Sequence, residues 1–225
     1  MSPVPPCALP AGAASVAPDP AATDGAAPRG AARAEAPRAT LTPEAWVEAA
    51  TEVLTDQGID HVRVDLLAKA LQVTRGSFYW HFKDREDLLR QVLEAWRQHA
   101  TLQLTRRLEQ ASPDPAAQLR DVISLPFRGR SARRAARIEL AIRAWARRDA
   151  MARQAVDEAD ALRIGYIAQV FSALGFGIAE ARNRAFLLYS YVVAESLLGH
   201  HGTGAQRQDR SAFVEALLQQ PTARA

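Results

Sequence analysis

Trp46, Ala49, Ala50, Val53 and Leu54 recur at i, i+3, i+4, i+7 and i+8, the apolar stripe of an amphipathic helix. Thr42-Pro43-Glu44 starts that helix with a cap residue, a proline suited to the first helical position and an acid at the positive helix end. Gly58 stops it. A shorter stripe follows in Val64, Leu67, Ala68 and Leu71. After a three-residue break comes a very short helix, in which Thr74 caps and Val73 packs on Phe78 as a hydrophobic staple. Two short helices joined by a tight turn make a helix-turn-helix. Asp84 begins the next helix, whose stripe of Leu88, Leu89, Val92, Leu93 and Trp96 runs towards Leu108.

Pro113 and Pro115 mark a boundary, beyond which the pattern predicts helices at about 116–125, 131–147, 152–174, 179–199 and 211–219. Gly175, Gly177, Gly199 and Gly202 punctuate them, and no strand-like alternation occurs. The expected fold is all-α: a three-helix helix-turn-helix domain over 40–100 and a larger helical domain over 101–225.

Composition changes this picture at the N-terminus. Residues 1–39 hold 14 Ala and 8 Pro. Proline that dense breaks helices, and alanine buries too little area to offset ordering entropy, so a disordered leader is expected. Cys7 is the single cysteine, which excludes a disulfide framework and a Cys-based zinc site within one chain. The adjacent pair His200-His201 lacks a third ligand at helical spacing, so neither a metal nor a cofactor is expected. The longest uncharged stretch, Ile164 to Ala179, has 16 residues against the ~20 that span a bilayer. With no basic start followed by an apolar run, a cytoplasmic protein without a membrane anchor is expected. No nucleophile–base pair or paired carboxylate is placed by motif, which argues against an enzyme.

At 100° per residue, Phe78 and Phe82 of the short helix 75–82 face the core, whereas Gly76, Ser77 and Trp80 point the opposite way. Tyr79 and His81 flank the buried stripe. A helix that aims a tryptophan away from its core suits the DNA major groove, where flanking groups bond phosphates and the outer face touches base edges. Arg75 can reach a guanine edge, and Gly76 permits close backbone approach. Lys83, Arg85 and Arg63 are placed for phosphates. Against this, residues 40–100 carry a net charge of −3, which disfavours a non-specific DNA coat. Their acids cluster on the first helix, at Glu44, Glu48, Glu52 and Asp56.

The run Val64-x-x-Leu67-Ala68-x-x-Leu71-x-Val73-Thr74-Arg75-Gly76-Ser77-Phe78-Tyr79-Trp80-His81-Phe82, followed by Arg85-Glu86-x-Leu88-Leu89, resembles the N-terminal domain of TetR-family transcriptional regulators. The resemblance spans about Leu41 to Trp96. It implies a homodimer that reads a palindromic double-stranded DNA operator and responds to a small-molecule effector. Arg75, Gly76, Ser77 and Trp80 take the base-facing role on this reading, and Tyr79, His81, Arg63 and Arg85 the phosphate role, around the cap Thr74. Repression is the commoner behaviour in the family. An activator, or a helical ligand-binding module that has lost DNA binding, is the alternative. Two departures stand out: Gln72 where the family usually has Gly, and Arg63 near a usual Ser/Thr cap.

The C-terminal half is less legible. Arg128 to Arg153 holds nine arginines against Glu139 and Asp149, which reads first as a solvated basic face with intrahelical or interdomain salt bridges, the alternative being an anionic ligand or a second DNA contact. Ile138, Ala141, Ile142 and Trp145 form a buried stripe, with Arg133, Arg143 and Arg147 broadly opposite. Residues 186–194 are apolar all round, implying burial on more than one side. The resemblance implies a four-helix dimer interface, for which Ile164, Ile167, Phe171, Leu188 and Val192 are the expected residues; the alternative is that both helices fill a monomer core. Trp96, His99, Phe127, Trp145, Tyr166, Phe186 and Tyr189, apolar or aromatic groups with polar handles, are the expected pocket residues.

Overall fold

In the computed structural model residues 41–220 are described, apart from 103, 104, 107, 109, 111, 199 and 200. The Ala/Pro-rich leader with Cys7, and also Gly199 and His200, lie outside them. Among the described residues every regular element is helical.

The stripe of α1 (Pro43–Gln57) buries Trp46, Ala50 and Leu54. Gly58, at φ 86°, ends it in the left-handed region that glycine tolerates best. Next come a 3-10 turn, Ile59–His61, then α2 (Val64–Ala70) and α3 (Arg75–Tyr79). Gln72, between them, sits at φ 57°, in the left-handed region that glycine adopts most readily. For a residue with a Cβ that costs about 1–2 kcal/mol, so the tight turn is held against local preference. Asp84 caps α4 (Arg85–Arg97) by accepting from Asp87 N at 2.9 Å, and Asp87 Oδ2 in turn accepts from Lys83 N at 3.1 Å. The helix does not run unbroken towards Leu108: a π turn, Gln98–Leu102, widens it.

In the second half, α5 (Pro115–Ser124) is capped by Asp114, and a 3-10 turn leads into α6 (Gly129–Ala146). The long helices α7 (Ala150–Ala173) and α8 (Ile178–Leu197) pack against each other, and α9 (Gly204–Gln219) closes the described chain. The last helix starts earlier than the apolar pattern implied. Thr203 and Gln206 form a capping box, and the polar turn that follows is tied down by Arg210, which bonds Glu195 at 2.7 Å. Periodicity cannot see a helical turn without apolar residues.

Two buried clusters organise the interior. The first packs Trp46, Phe78, Phe82, Leu88, Val92 and Trp96 together and continues into Ile142, Trp145, Ala152 and Val156 of α6 and α7. Trp46 meets Phe78 edge-on at 5.3 Å, and Phe78 stacks on Phe82 at 5.1 Å. The helix-turn-helix is therefore built onto α6 and α7 by one shared core that crosses residue 100. The second cluster joins α5, the later part of α7, α8 and Leu218 of α9.

Candidate nucleic-acid interface and ligand pocket

Phe78 and Phe82 are fully sequestered, which leaves their neighbours outside. Trp80 is 86% exposed and Tyr79 56%. Leaving a large apolar ring in water forgoes on the order of 2 kcal/mol or more of burial, so the fold itself gains nothing from this arrangement. Arg75, Gly76, Thr74 and Lys83 are exposed beside them, and Ser77 and His81 are half-buried. A Cβ on Gly76 would meet Thr74 Oγ1 at 3.6 Å, an ordinary contact, so packing does not demand glycine there. Arg63 is exposed and bonds Asp65 through two contacts, 3.2 and 3.0 Å.

Arg85 requires a correction. Expected on a phosphate, its guanidinium instead donates to Val62 O at 2.6 Å and Ile59 O at 2.8 Å. Arg85 thus reaches back across the domain to the Val62 carbonyl after the 3-10 turn and becomes a second donor to Ile59 O, which already accepts from Val62 N at 3.2 Å.

A second feature lies between α5, α6, α7, α8 and the π turn. It is a cavity of about 340 Å³ with an apolar wall that includes Leu108, Val122, Leu125, Ile167 and Val192. Its polar side is a network. Arg143 bonds Glu139 at 2.8 Å and Asp160 at 2.5 Å, and Arg163 bonds Glu139 at 2.9 Å. Both arginines donate to Tyr189 Oη at 3.0 Å, and Tyr189 donates to Asp160 Oδ1 at 2.5 Å. Burial works to depress the pKa of both guanidiniums, but the carboxylates outweigh it and the net shift is upward. Burial is also the main reason the Tyr189 phenol is pushed up to about 12. Arg163 further donates to Ala100 O at 3.3 Å and Thr101 Oγ1 at 3.2 Å, which ties the π turn at the end of α4 to the pocket.

The wall formed by α6 has a second side. Ala132, Ala135, Ala136, Glu139, Leu140 and Arg143 line the pocket. Arg134 pairs with Glu48 and Glu52 of α1, Arg137 with Asp56 at 2.6 Å, and Arg148, just past α6, with Asp60 at 2.8 Å. Part of the arginine run is thus an ionic seam against the acidic first helix.

The family model "Bacterial regulatory proteins, tetR family" matches residues 47–92, the whole helix-turn-helix with its exposed Tyr79 and Trp80. The helix-turn-helix over residues 47–92 is of the TetR-family type. Over 68 residues it is 41% identical to the HTH-type transcriptional regulator SrpR of Pseudomonas putida, covering 30% of this chain and 32% of that one. Over 93 residues it is 33% identical to the transcriptional regulator AcuR of Cereibacter sphaeroides, covering 41% and 42%. The matches to these two curated relatives therefore span less than half of their length. Among solved structures, a transcriptional regulator from Saccharomonospora viridis in complex with choline superposes with a TM-score of 0.62 at 16% identity, covering 79% of this chain and 95% of that one. Likeness at that identity establishes the fold.

Of the candidate pocket residues, His99, Tyr166 and Tyr189 line the cavity. Trp96, Phe127, Trp145 and Phe186 do not. Trp96 and Trp145 fill the first core, with the Arg163 guanidinium 5.5 Å from the Trp96 ring; Phe127 sits exposed in the 3-10 turn; and Phe186 is 59% exposed on the outer side of α8. The interface residues need a similar correction. Phe171, Leu188 and Ile167 are buried in this subunit's own core, and Val192 lines the cavity, because α7 and α8 pack on each other through that face. Ile164 alone of the five borders an outer groove, together with Gly165, Gln169, Ile178 and Phe186. The apolar groups of α7 and α8 that face outward include Leu162, Ile178, Phe186 and Leu187. Sequence reasoning missed Glu139, Arg143 and Arg163 as pocket groups. The Glu139–Arg143 spacing of i, i+4 was visible, but it reads equally as a surface pair.

Proposed function

We propose that the protein is a ligand-responsive repressor that binds a palindromic operator as a homodimer. Residues 40–100 form its DNA-binding domain and 101–225 its effector and dimerisation domain. The observation that carries this reading is the short helix that holds Trp80 and Tyr79 in solvent beside Arg75 and Lys83 while Phe78 and Phe82 anchor it from behind. Arg75, Gly76, Ser77 and Trp80 read base edges, and Tyr79, His81, Lys83 and Arg63 bind phosphates, with Arg63 exchanging Asp65 for the backbone. Leu162, Ile178, Phe186 and Leu187 supply the apolar face that a second copy covers.

Effector binding in the 340 Å³ cavity reaches the DNA helices by two routes. One is α6, with the pocket on one side and α1 on the other; the second is Arg163, which holds the π turn that continues α4. A reversal from mostly bound to mostly released needs an effector that prefers the released state by about 5.5 kcal/mol. The choline held by the Saccharomonospora viridis regulator supports a small-molecule site in this fold. Selection of fragments from random duplex DNA with the full chain tests the reading. An enriched inverted repeat, with half-sites one turn or ~34–36 Å apart, is expected. Absence of any enriched sequence overturns it.

A further inference from the structure

We propose that the effector carries no net charge and is an apolar molecule bearing a hydrogen-bonding group such as a hydroxyl. This deepens the reading above and rests on the cavity being the effector site. Besides His99, four charged side chains line it, Arg128, Glu139, Arg143 and Arg163. Each is already matched. Arg128 pairs with Asp121 at 2.8 Å, Arg143 with Asp160 at 2.5 Å and Arg163 with Glu139 at 2.9 Å. Three cations thus meet three carboxylates, so these pairs carry no net charge between them, from Arg128 to Arg163.

The donors are engaged as well as the charges. Every guanidinium nitrogen of Arg143 has an acceptor in Glu139, Asp160 or Tyr189. Every one of Arg163 has an acceptor in Thr101, Glu139, Tyr189 or Ala100. A ligand carboxylate would find only one N–H on Arg143 Nη1 and one on Arg163 Nη2 without an acceptor among the described residues, and would lie beside Glu139, within the ~4–6 Å over which like charges oppose ionisation. A ligand ammonium would face two guanidiniums. Either would lose hydration without gaining a counter-ion, which is the costly case for a buried charge. A hydroxyl has no such difficulty. Glu139 Oε2 accepts from Arg163 Nη1 alone among the described residues, which leaves capacity for one more donor. The wall of Leu108, Val122, Leu125, Ile167 and Val192 receives the apolar remainder.

Three probes of one shape and different charge test this: phenylbutanol, phenylbutyrate and phenylbutylammonium, titrated calorimetrically into the full chain near neutral pH. The alcohol is expected to bind at least about tenfold more tightly than either ion. Glu139→Gln leaves the lining with one excess positive charge, and phenylbutyrate should then gain at least about tenfold relative to the alcohol. If either ion binds the unaltered protein as tightly as the alcohol does, the inference is overturned while the pocket reading stands. If none of the three binds, both fall. The comparison on the unaltered protein is decisive even if Glu139→Gln fails to fold.

Discussion

The helix-turn-helix and the pocket place polar and apolar groups in opposite ways. In the first, aromatic rings stand in water: Trp80 and Tyr79 point away from a core filled by Trp46, Phe78 and Phe82. In the second, charges stand inside: Arg163, Glu139, Arg143 and Asp160 are drawn in and neutralise one another around Tyr189. Each region departs from the usual sorting of side chains, and on the proposed reading each departure serves a partner. The exposed rings wait for a surface outside the chain. The buried charges are satisfied within it, so they shape a cavity without attracting an ion.

The comparison is broken most severely at the outer face of α7 and α8. Phe186→Asp combined with Leu187→Asp should convert the dimer to monomers in sedimentation velocity, and operator binding should fall by more than about a hundredfold, because truncated interface hot spots cost ~2–4 kcal/mol each. A dimer that survives places the interface elsewhere. Next in size is the exposed ring itself. Trp80→Ala should weaken operator binding about 10- to 100-fold, on the scale of ~1–3 kcal/mol for a specific base contact, while thermal stability stays unchanged. A large loss of stability would show that the ring belongs to the fold.

The pocket answers to pH instead. The folded Tyr189 phenol lies at about 12, above its ordinary value of 10.0. A group raised on folding contributes its full stability below the unfolded value, and loses it as pH climbs through the folded one. Unfolding free energy should therefore drop between about pH 10 and 12, by up to ~2–3 kcal/mol, and Tyr189→Phe should flatten that drop. Arg85 sharpens the distinction between residues that look alike in sequence. Arg85→Ala should lower urea stability by about 1–3 kcal/mol, having lost charged hydrogen bonds to two carbonyls, and should leave the salt dependence of DNA binding unaltered. Lys83→Ala should do the reverse, reducing the salt slope by ~1. Equal slopes for the two variants would remove Lys83 from the backbone. Smallest is the ionic seam: Arg134→Ala or Arg137→Ala should cost less than about 1 kcal/mol, since exposed ion pairs are weak.

Much of the N-terminal region was legible in advance because its instructions are local. The stripe from Trp46 to Leu54, the staple of Val73 on Phe78 and the cap at Asp84 all act within a few residues, and the structure places each helix accordingly. Arg85 was misread because its acceptors lie 23 and 26 residues away, at Val62 and Ile59. The same limit explains the pocket. Glu139 and Arg163 stand 24 residues apart on different helices, and nothing in either helix signals the other.

What the chain determined unaided is the set of helices and the face of the short helix left without a core partner, since both follow from spacing along one element. Which side of α7 and α8 would be core, and which would be left to a second subunit, is a different kind of question. Phe171, Leu188 and Phe186 are all apolar on helices that are apolar nearly all round, so burial of the first two and exposure of the third came only from how the helices packed. The pocket is likewise a product of packing. Four charged groups that alone would seek water became a neutral lining because α6, α7 and α8 brought each within reach of its opposite.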